Sequence, residues 1–354
     1  MRIERIDVTP FVLTPPMALT VAYGSYPTRD YVLLKVHADN GLLGLGEGSP
    51  DPEVTGETQD SLLKALQQAA PGLVGRDPFE LETILAWWEE QFPRQPTAMA
   101  ALDMALYDLQ GKALSVPVHR LLGGLVCPRM KLYPVVPLLP PQEMAETAAT
   151  LVRQRFDTLK LKLGAGPDQD EARVQAVREA VGAEITLRID ANQGWHTPAV
   201  ALGAIRRILP YGIEWVKQPV DAADLEGLAE VTRGVEVPVM VDEGCQMPED
   251  ALKVACLGAA DIINIKLMKC GGPYRALQIN AIAEAAGLPC IVGSLGESTI
   301  ASVAGLHLLG ARRNIMAGEV IGPLFLAGDI ATGFQVEGNQ AIVPTSPGLG
   351  VELK

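Results

Sequence analysis

The sequence predicts an α/β fold: a modified TIM barrel of (β/α)7β type with an N-terminal α+β capping domain that the C-terminal segment completes. Three observations predict it. From about Lys131 onward, apolar strand-like runs recur roughly every 23 to 28 residues, separated by stretches rich in Ala, Glu and Arg. The first third of the chain instead sets strands before helices. Thr158–Gly164 alternates strictly, with Leu159, Leu161 and Leu163 on one face and Thr158, Lys160 and Lys162 on the other, a strand by its period. Two ammonium groups then stand roughly 7 Å apart on one face, which costs energy unless carboxylates or a ligand lie opposite.

The chain has 354 residues, 48% of them hydrophobic, enough for two domains with a large core. Its net charge of -13 argues against nucleic acid or an anionic membrane as partner. The N-terminus carries no apolar signal core, and no apolar run reaches the roughly 18 residues of a membrane span. Five cysteines, an odd number without CxxC spacing, fit buried thiols in a reducing cytoplasm better than disulfides or zinc. The expected location is cytoplasmic.

The elements follow in order. Strands are expected over Arg2–Val8, Tyr31–His37 and Gly41–Glu47, with Asp39-Asn40-Gly41 as the hairpin turn between the last two. Thr14–Thr28, rich in Pro, Gly and small residues, reads as a mobile loop. Helical periodicity runs from about Thr58 to Gly124. Residues 1–125 form the capping domain, 126–322 the barrel, and 323–354 a segment returning to the cap. Barrel strands are expected near Lys131, Thr158, Thr186, Ile213, Pro238, Asp261, Pro289 and Asn314.

Barrel enzymes carry their chemistry at the carboxyl ends of the strands. Parity turns Asp190 and Asn192 inward at the end of the third strand, opposite Leu187, Ile189 and Ala191. By the same parity Met240 and Asp242 face inward on the fifth strand, with Glu243 just past them, and Asn264 and Lys266 on the sixth. Each charge alone reads as a solvated strand end. Lys160, Lys162, Asp190, Asp242 and Lys266 share one parity and one rim, and together they read as a site.

These residues, with Gly44–Glu47, Val54–Thr58, Ala101–Lys112 and Leu121–Gly124 in the cap and Asn264–Gly272 in the barrel, resemble the enolase superfamily. Within it they resemble the muconate-lactonizing-enzyme subgroup of the mandelate racemase/muconate lactonizing enzyme family, and in particular dipeptide epimerases and N-acylamino acid racemases. The resemblance implies removal of the proton next to a carboxylate and an enediolate stabilised on Mg²⁺. It implies that Lys162 and Lys266 are the acid/base pair on opposite faces of the substrate, with Lys160 lowering the pKa of its neighbour. It implies metal ligation by Asp190 and Asp242, a small-molecule carboxylate as partner, and a homo-oligomer.

Two departures from the family pattern stand out. The family's second metal ligand is the glutamate of a Glu-Gln-Pro sequence, and here Lys217-Gln218-Pro219 occupies that place. The metal then either rests on Asp190, Asp242 and Glu243 with Lys217 turned aside, or the Lys217 ammonium bridges the two aspartates and stands in for it. On the eighth strand, where dipeptide epimerases carry Asp-x-Asp, this chain has Glu319 and Ile321. Further substrate contacts are expected from Lys217, Asn192, Asn264, Ser294, Glu297 and Tyr23. The function expected is a racemase or epimerase of an amino-acid derivative, a dipeptide or N-acylamino acid. A cycloisomerase or dehydratase using the same lysines, and a binding protein without catalysis, are the alternatives.

Overall fold

A computed structural model describes residues 1–354. The alternating strand Thr158–Lys162 lies inside an eight-stranded parallel sheet, hydrogen-bonded on both sides. Its neighbours are Val135–Val136 and Thr186–Asp190; Ile213–Lys217, Val239–Val241, Ile262–Ile265, Cys290–Val292 and Ile315–Gly318 follow in sequence order. All five residues of Thr158–Lys162 are buried, so the two lysines have no solvated face to occupy.

Seven helices longer than one turn separate these strands, from Pro141–Arg153 to Thr299–Ala311, with the single turn Leu267–Cys270 directly after the sixth strand. After the eighth strand there is only the single turn Gly322–Phe325, which gives the (β/α)7β pattern. Five of the seven begin with proline, at Pro141, Pro167, Pro198, Pro248 and Pro273. There the fixed φ suits the helix and the missing N–H is one that no helical carbonyl would accept. The first barrel strand is Val135–Val136. The segment expected near Lys131 forms Arg129–Lys131 instead, an antiparallel partner of Gln340–Ile342 in the C-terminal segment.

Inside the barrel the parity read from the sequence produces layers. Tyr133, Trp215, Met240, Ile262, Ile291 and Ala317 form the apolar floor. Arg188 joins them by lying over the rings of Tyr133 and Trp215, at 4.1 and 3.8 Å. Two residues further along their strands come Lys160, Asp190, Lys217, Asp242, Asn264 and Glu319, all buried. The polar layer therefore rests on a dry floor.

The cap is the antiparallel sheet Ile3–Leu13, Arg29–Ala38 and Leu43–Gly48, with Arg29–Ala38 in the middle. The helix Pro96–Leu114 lies on the strand Leu43–Gly48 so closely that a Cβ at Gly44 or Gly46 would collide with the carbonyls of Ala105 or Ala101. Buried on every side from Thr97 to Gly111, that helix shows no amphipathic stripe. Thr14–Thr28, expected as a loop, contains the short hairpin Leu19–Val21 with Gly24–Tyr26. In the C-terminal segment Leu349 N–H donates to Asp108 at 2.7 Å, and Gly348 exchanges backbone hydrogen bonds with Val116 and Val118 at 2.9 Å. Of the cysteines, Cys245, Cys270 and Cys290 are buried, whereas Cys256 is exposed. No helix is long and apolar enough to cross a membrane.

Candidate active site

The carboxyl ends of the second, third, fourth, fifth, sixth and eighth barrel strands meet in one ion network centred on Lys217. Its ammonium lies 3.1 Å from Asp190 Oδ2, 3.1 Å from Asp242 Oδ2, and 3.1 and 3.2 Å from the two Glu319 oxygens. Lys160 bridges Glu319 Oε2 at 2.8 Å and Asp190 Oδ2 at 3.4 Å. Lys162 donates to Asp190 Oδ2 at 2.8 Å and to Asn192 Oδ1 at 2.6 Å. Across the barrel Lys266 reaches Asp242 Oδ2 at 2.9 Å, while Lys269 donates to Asp242 Oδ1 at 2.7 Å.

Two strand ends turn sharply to build this network. Asn192 and Gln218 both adopt left-handed backbone, at φ 42 and 39. Such φ values are uncommon for residues other than glycine and are held only where the surroundings fix them. Gln218 Oε1 accepts from the backbone N–H of Asp242 at 2.8 Å and of Gly244 at 3.2 Å, which fixes the end of the fifth strand. Gln218, the residue after Lys217, thus orients Asp242.

Every charge in this layer is dry, so its neighbours decide its ionisation. Burial alone would raise Asp190 and Asp242, but the lysines around each outweigh it and hold both below the usual carboxylate range. Burial would likewise raise Glu319, yet Lys160 and Lys217 bring it down to about 2. Burial opposes the charge on Lys217, and the carboxylates around it more than compensate, so the ammonium is held well above the usual lysine range. Lys266 is raised in the same way, by Asp242 against burial. Lys160 goes the other way: burial, then the repulsion of Lys217 and Lys162, outweighs Glu319 and lowers it to about 8.

Above the network lies a cavity of about 470 Å³. Lys160, Lys162, Asn192, Lys266 and Glu319 form its floor, Ser294 and Ile321 line its side, and Tyr23 and Tyr26 of the early hairpin cover it. Burial raises the Tyr23 phenol far above its ordinary value and keeps it neutral. Three expected contacts lie elsewhere. Lys217 is only 1% exposed and lies beneath the floor, drawn down by three carboxylates. Asn264 is fully buried, its amide without a partner, in space left by the missing side chain of Gly293. Glu297 turns back into its own loop, accepting from Ser294 Oγ and from Leu295 N–H.

A divalent cation on Asp190, Asp242 and Glu243 does not fit this donor set. Mg²⁺ requires hard oxygen ligands at roughly 2.1 Å, and the point toward which both aspartates aim holds an ammonium nitrogen. Glu243 Oε1 accepts from Asn192 Nδ2 at 2.8 Å, and burial, then Asp242, raises its pKa. No three His, Cys, Asp or Glu side chains gather as a cation site.

Sequence reasoning did not single out Lys269, although it stands three residues after Lys266 in the same motif. Its ammonium is 1% exposed and donates to the carbonyls of Cys245 and Asn264 as well as to Asp242. It also missed Arg29 and Asp51 on the cavity wall, 3.8 Å apart, with Arg29 stacked over Tyr26 at 4.6 Å. Arg29 opens the central cap strand and Asp51 follows the end of the strand Leu43–Gly48 paired with it, so the register of that pair, and no motif, brings them together. The clamp from Glu47 to Ser298 N–H and Oγ, both 2.6 Å, which ties the cap to the barrel, is equally nonlocal.

Comparison with known proteins agrees with this architecture. Residues 5–123 match the mandelate racemase/muconate lactonizing enzyme N-terminal domain, and residues 143–354 match the enolase C-terminal domain-like family. The chain is 36% identical to an N-succinyl-L-Arg/Lys racemase of Bacillus cereus over all of its length and 96% of the relative's. The crystal structure of that racemase superposes with a TM-score of 0.98. A dipeptide epimerase of Enterococcus faecalis, solved with Mg and the dipeptide L-Leu-L-Tyr, is 38% identical over 99% of both chains with a TM-score of 0.96. A muconate cycloisomerase 1 of Rhodococcus opacus is 36% identical over 93% of this chain and 90% of its own. With both domain models matched and full-length relatives above 30% identity, the chain belongs to the mandelate racemase/muconate lactonizing enzyme family of the enolase superfamily.

Proposed function

We propose that this protein removes and returns the α-proton of an N-acylated amino acid, racemising or epimerising that carbon. One observation carries the reading: Lys162 and Lys266 both reach the cavity floor from strands four places apart in an eight-stranded barrel. They stand on opposite sides of whatever lies between them, and each is tied to a different aspartate. One lysine, as the free amine, takes the α-proton, and the electron pair moves into the carboxylate to give an enediolate. The other, as an ammonium, delivers a proton to the opposite face, and the two exchange roles in the reverse direction. Lys160 remains beside them as a positive neighbour of the developing charge.

The acyl group is favoured over a free dipeptide amine by the state of Glu319. A substrate ammonium needs a carboxylate of its own, and both Glu319 oxygens are taken by Lys217 and Lys160. Asp51, the other acid on the wall, is paired with Arg29 and accepts from Tyr26. Lys160, Lys162, Lys266 and Arg29 outnumber these acids, which suits an anionic ligand. That a relative is an N-succinyl amino-acid racemase supports the same class.

The test is deuterium incorporation at the α-carbon in D2O, across N-acylamino acids and dipeptides. The expected result is exchange with inversion for N-acyl substrates, falling by roughly 10²- to 10⁴-fold in Lys162→Ala or Lys266→Ala. Survival of exchange in both variants sinks the two-base assignment. Exchange coupled to loss of water, or a substrate that closes or opens a ring, makes it a dehydratase or cycloisomerase. No exchange with any carboxylate makes it a binding protein.

A further inference from the structure

We propose that Lys217 is the resident cation of this site: its ammonium takes the seat between Asp190 and Asp242, so the protein works without a divalent metal there. This builds on the proposed reaction but does not depend on the substrate. Four geometric observations carry it.

The seat is filled symmetrically. Lys217 Nζ is 3.1 Å from one oxygen of each aspartate, the same ion-pair distance to both. A lysine merely tolerated near a metal site would point away from it; this one points in.

The filling has its own counter-ion. Glu319, four strands away, turns both oxygens onto the same ammonium. Lys217 thus donates to Glu319 and is ion-paired with Asp190 and Asp242, three carboxylates around one buried ammonium.

Most aspartate oxygens that a metal would use already face ammonium groups, while Glu243 Oε2 has no partner. Asp242 Oδ1 is held by Lys269, and Asp190 Oδ2 is shared by Lys160, Lys162 and Lys217. Bringing in a divalent ion would require the ammonium to leave or to sit beside two more positive charges in a dry interior.

There is nowhere for it to go. The floor beneath Lys217 is the apolar cluster of Trp215, Tyr133 and Met240, and the neighbouring polar positions are already occupied by Lys160, Lys162 and Lys266. Expelling Lys217 would strand an unpaired charge.

The chemistry is adapted accordingly. An ammonium is a weaker electrophile than Mg²⁺ and does not bind the substrate carboxylate from beneath the floor. Its role is to hold Asp190 and Asp242 apart at fixed positions, and through them Lys162 and Lys266. Lys217 is therefore a positioning residue. The enediolate is met by the ammonium groups that reach the cavity.

The experiment is metal binding measured on the protein directly. Mn²⁺ electron paramagnetic resonance and Mg²⁺ calorimetry on the full-length protein are expected to show no saturable site in the millimolar range. Lys217→Glu, which supplies the missing carboxylate, is expected to gain about one Mn²⁺ or Mg²⁺ per chain, with a metal-dependent rise in melting temperature. Because that variant gathers four acids, Lys217→Glu combined with Glu319→Gln serves if the single variant does not fold. α-Proton exchange by the native protein is expected to be unchanged by EDTA. Saturable binding to the native protein that Asp190→Asn removes overturns the proposal, as does exchange that EDTA abolishes and Mg²⁺ restores. Failure of both Glu variants to gain a metal shows that Lys217 does not sit in the metal's place. If the native protein binds no metal and exchanges no substrate, the seat assignment stands and the proposed reaction falls.

Discussion

In the cap, Glu47, Glu57 and Asp103 give up water for backbone N–H groups at the starts of helices; in the barrel, Asp190, Asp242 and Glu319 give it up for lysines. All six are at most 2% exposed. Glu47 accepts from Ser298 and Ala301, Glu57 from Thr97 and Ala98, and Asp103 from Tyr274, each at the first turn of a helix. Partial charges of that kind favour an anion by only a fraction of what burial costs. Burial therefore wins in the cap and pushes Glu47 and Glu57 up to about 7 and Asp103 to about 8. In the barrel the full charges of five lysines win, and the same residue types are driven down. Burial sets the stakes; the charge of the partner sets the sign.

The most severe way to break this contrast is Lys217→Met. It leaves three dry carboxylates short of a cation, and about 3–5 kcal/mol of stability should be lost, read from urea unfolding at pH 7. If the variant is as stable as the parent, the network is not the electrostatic unit described. Activity should fall with it, because Asp190 and Asp242 then no longer hold their lysines.

A milder intervention is pH itself. The barrel acid Glu319 has its pKa depressed from near 4.5 to about 2, so its stabilisation is present at neutrality and is lost as pH falls through that window. The cap acids are raised, so the folded state holds protons the unfolded chain has released. Their contribution is therefore present below pH 4 and is lost between about pH 4 and 8. Hydrogen exchange should show the strands that end in Asp190 and Lys217 losing protection first on acidification, while the helix Pro96–Leu114 holds. Simultaneous loss in both regions would mean that one cooperative unit masks the difference.

The smallest expected effect sharpens the cap side. Asp103→Asn keeps the acceptor for Tyr274 N–H and removes a charge whose other oxygen, Oδ1, has no partner. At pH 9 the melting temperature should rise by roughly 2 °C or more, and at pH 4, where the unfolded chain also holds much of the proton, it should hardly move. A drop at both values would show that Asp103 does structural work beyond its charge.

The barrel was legible in the sequence because its signal is local and periodic. Strict alternation gave the inward parity of Lys160, Lys162, Asp190, Asp242 and Lys266, and the repeat spacing gave the number of strands. The first strand was misread because Arg129–Lys131 has strand chemistry and does form a strand, only in another sheet. Lys217 was visible as an anomaly, but its direction depends on Glu319, four strands away, which no window of sequence connects to it. The early hairpin was hidden for a different reason: its two strands are three residues each, too short for a period of two to show, with Pro on either side and Gly24 inside. Asn264 and Glu297 had the right positions, and backbone turns and the gap at Gly293 decided where their side chains went.

The pairing of Lys217 with Glu319 also constrains the routes by which this sequence can change. The two residues lie 102 positions apart along the chain and share one charge balance. Altering 217 alone to an acid crowds four carboxylates into one dry layer; altering 319 alone strands part of a buried ammonium. Without a divalent ion each single change is expected to lose stability, and a compensating change at the other position to restore part of it. In a library randomised at both positions and grown without a divalent ion to fill the site, the surviving combinations should be those that conserve the sum of their charges.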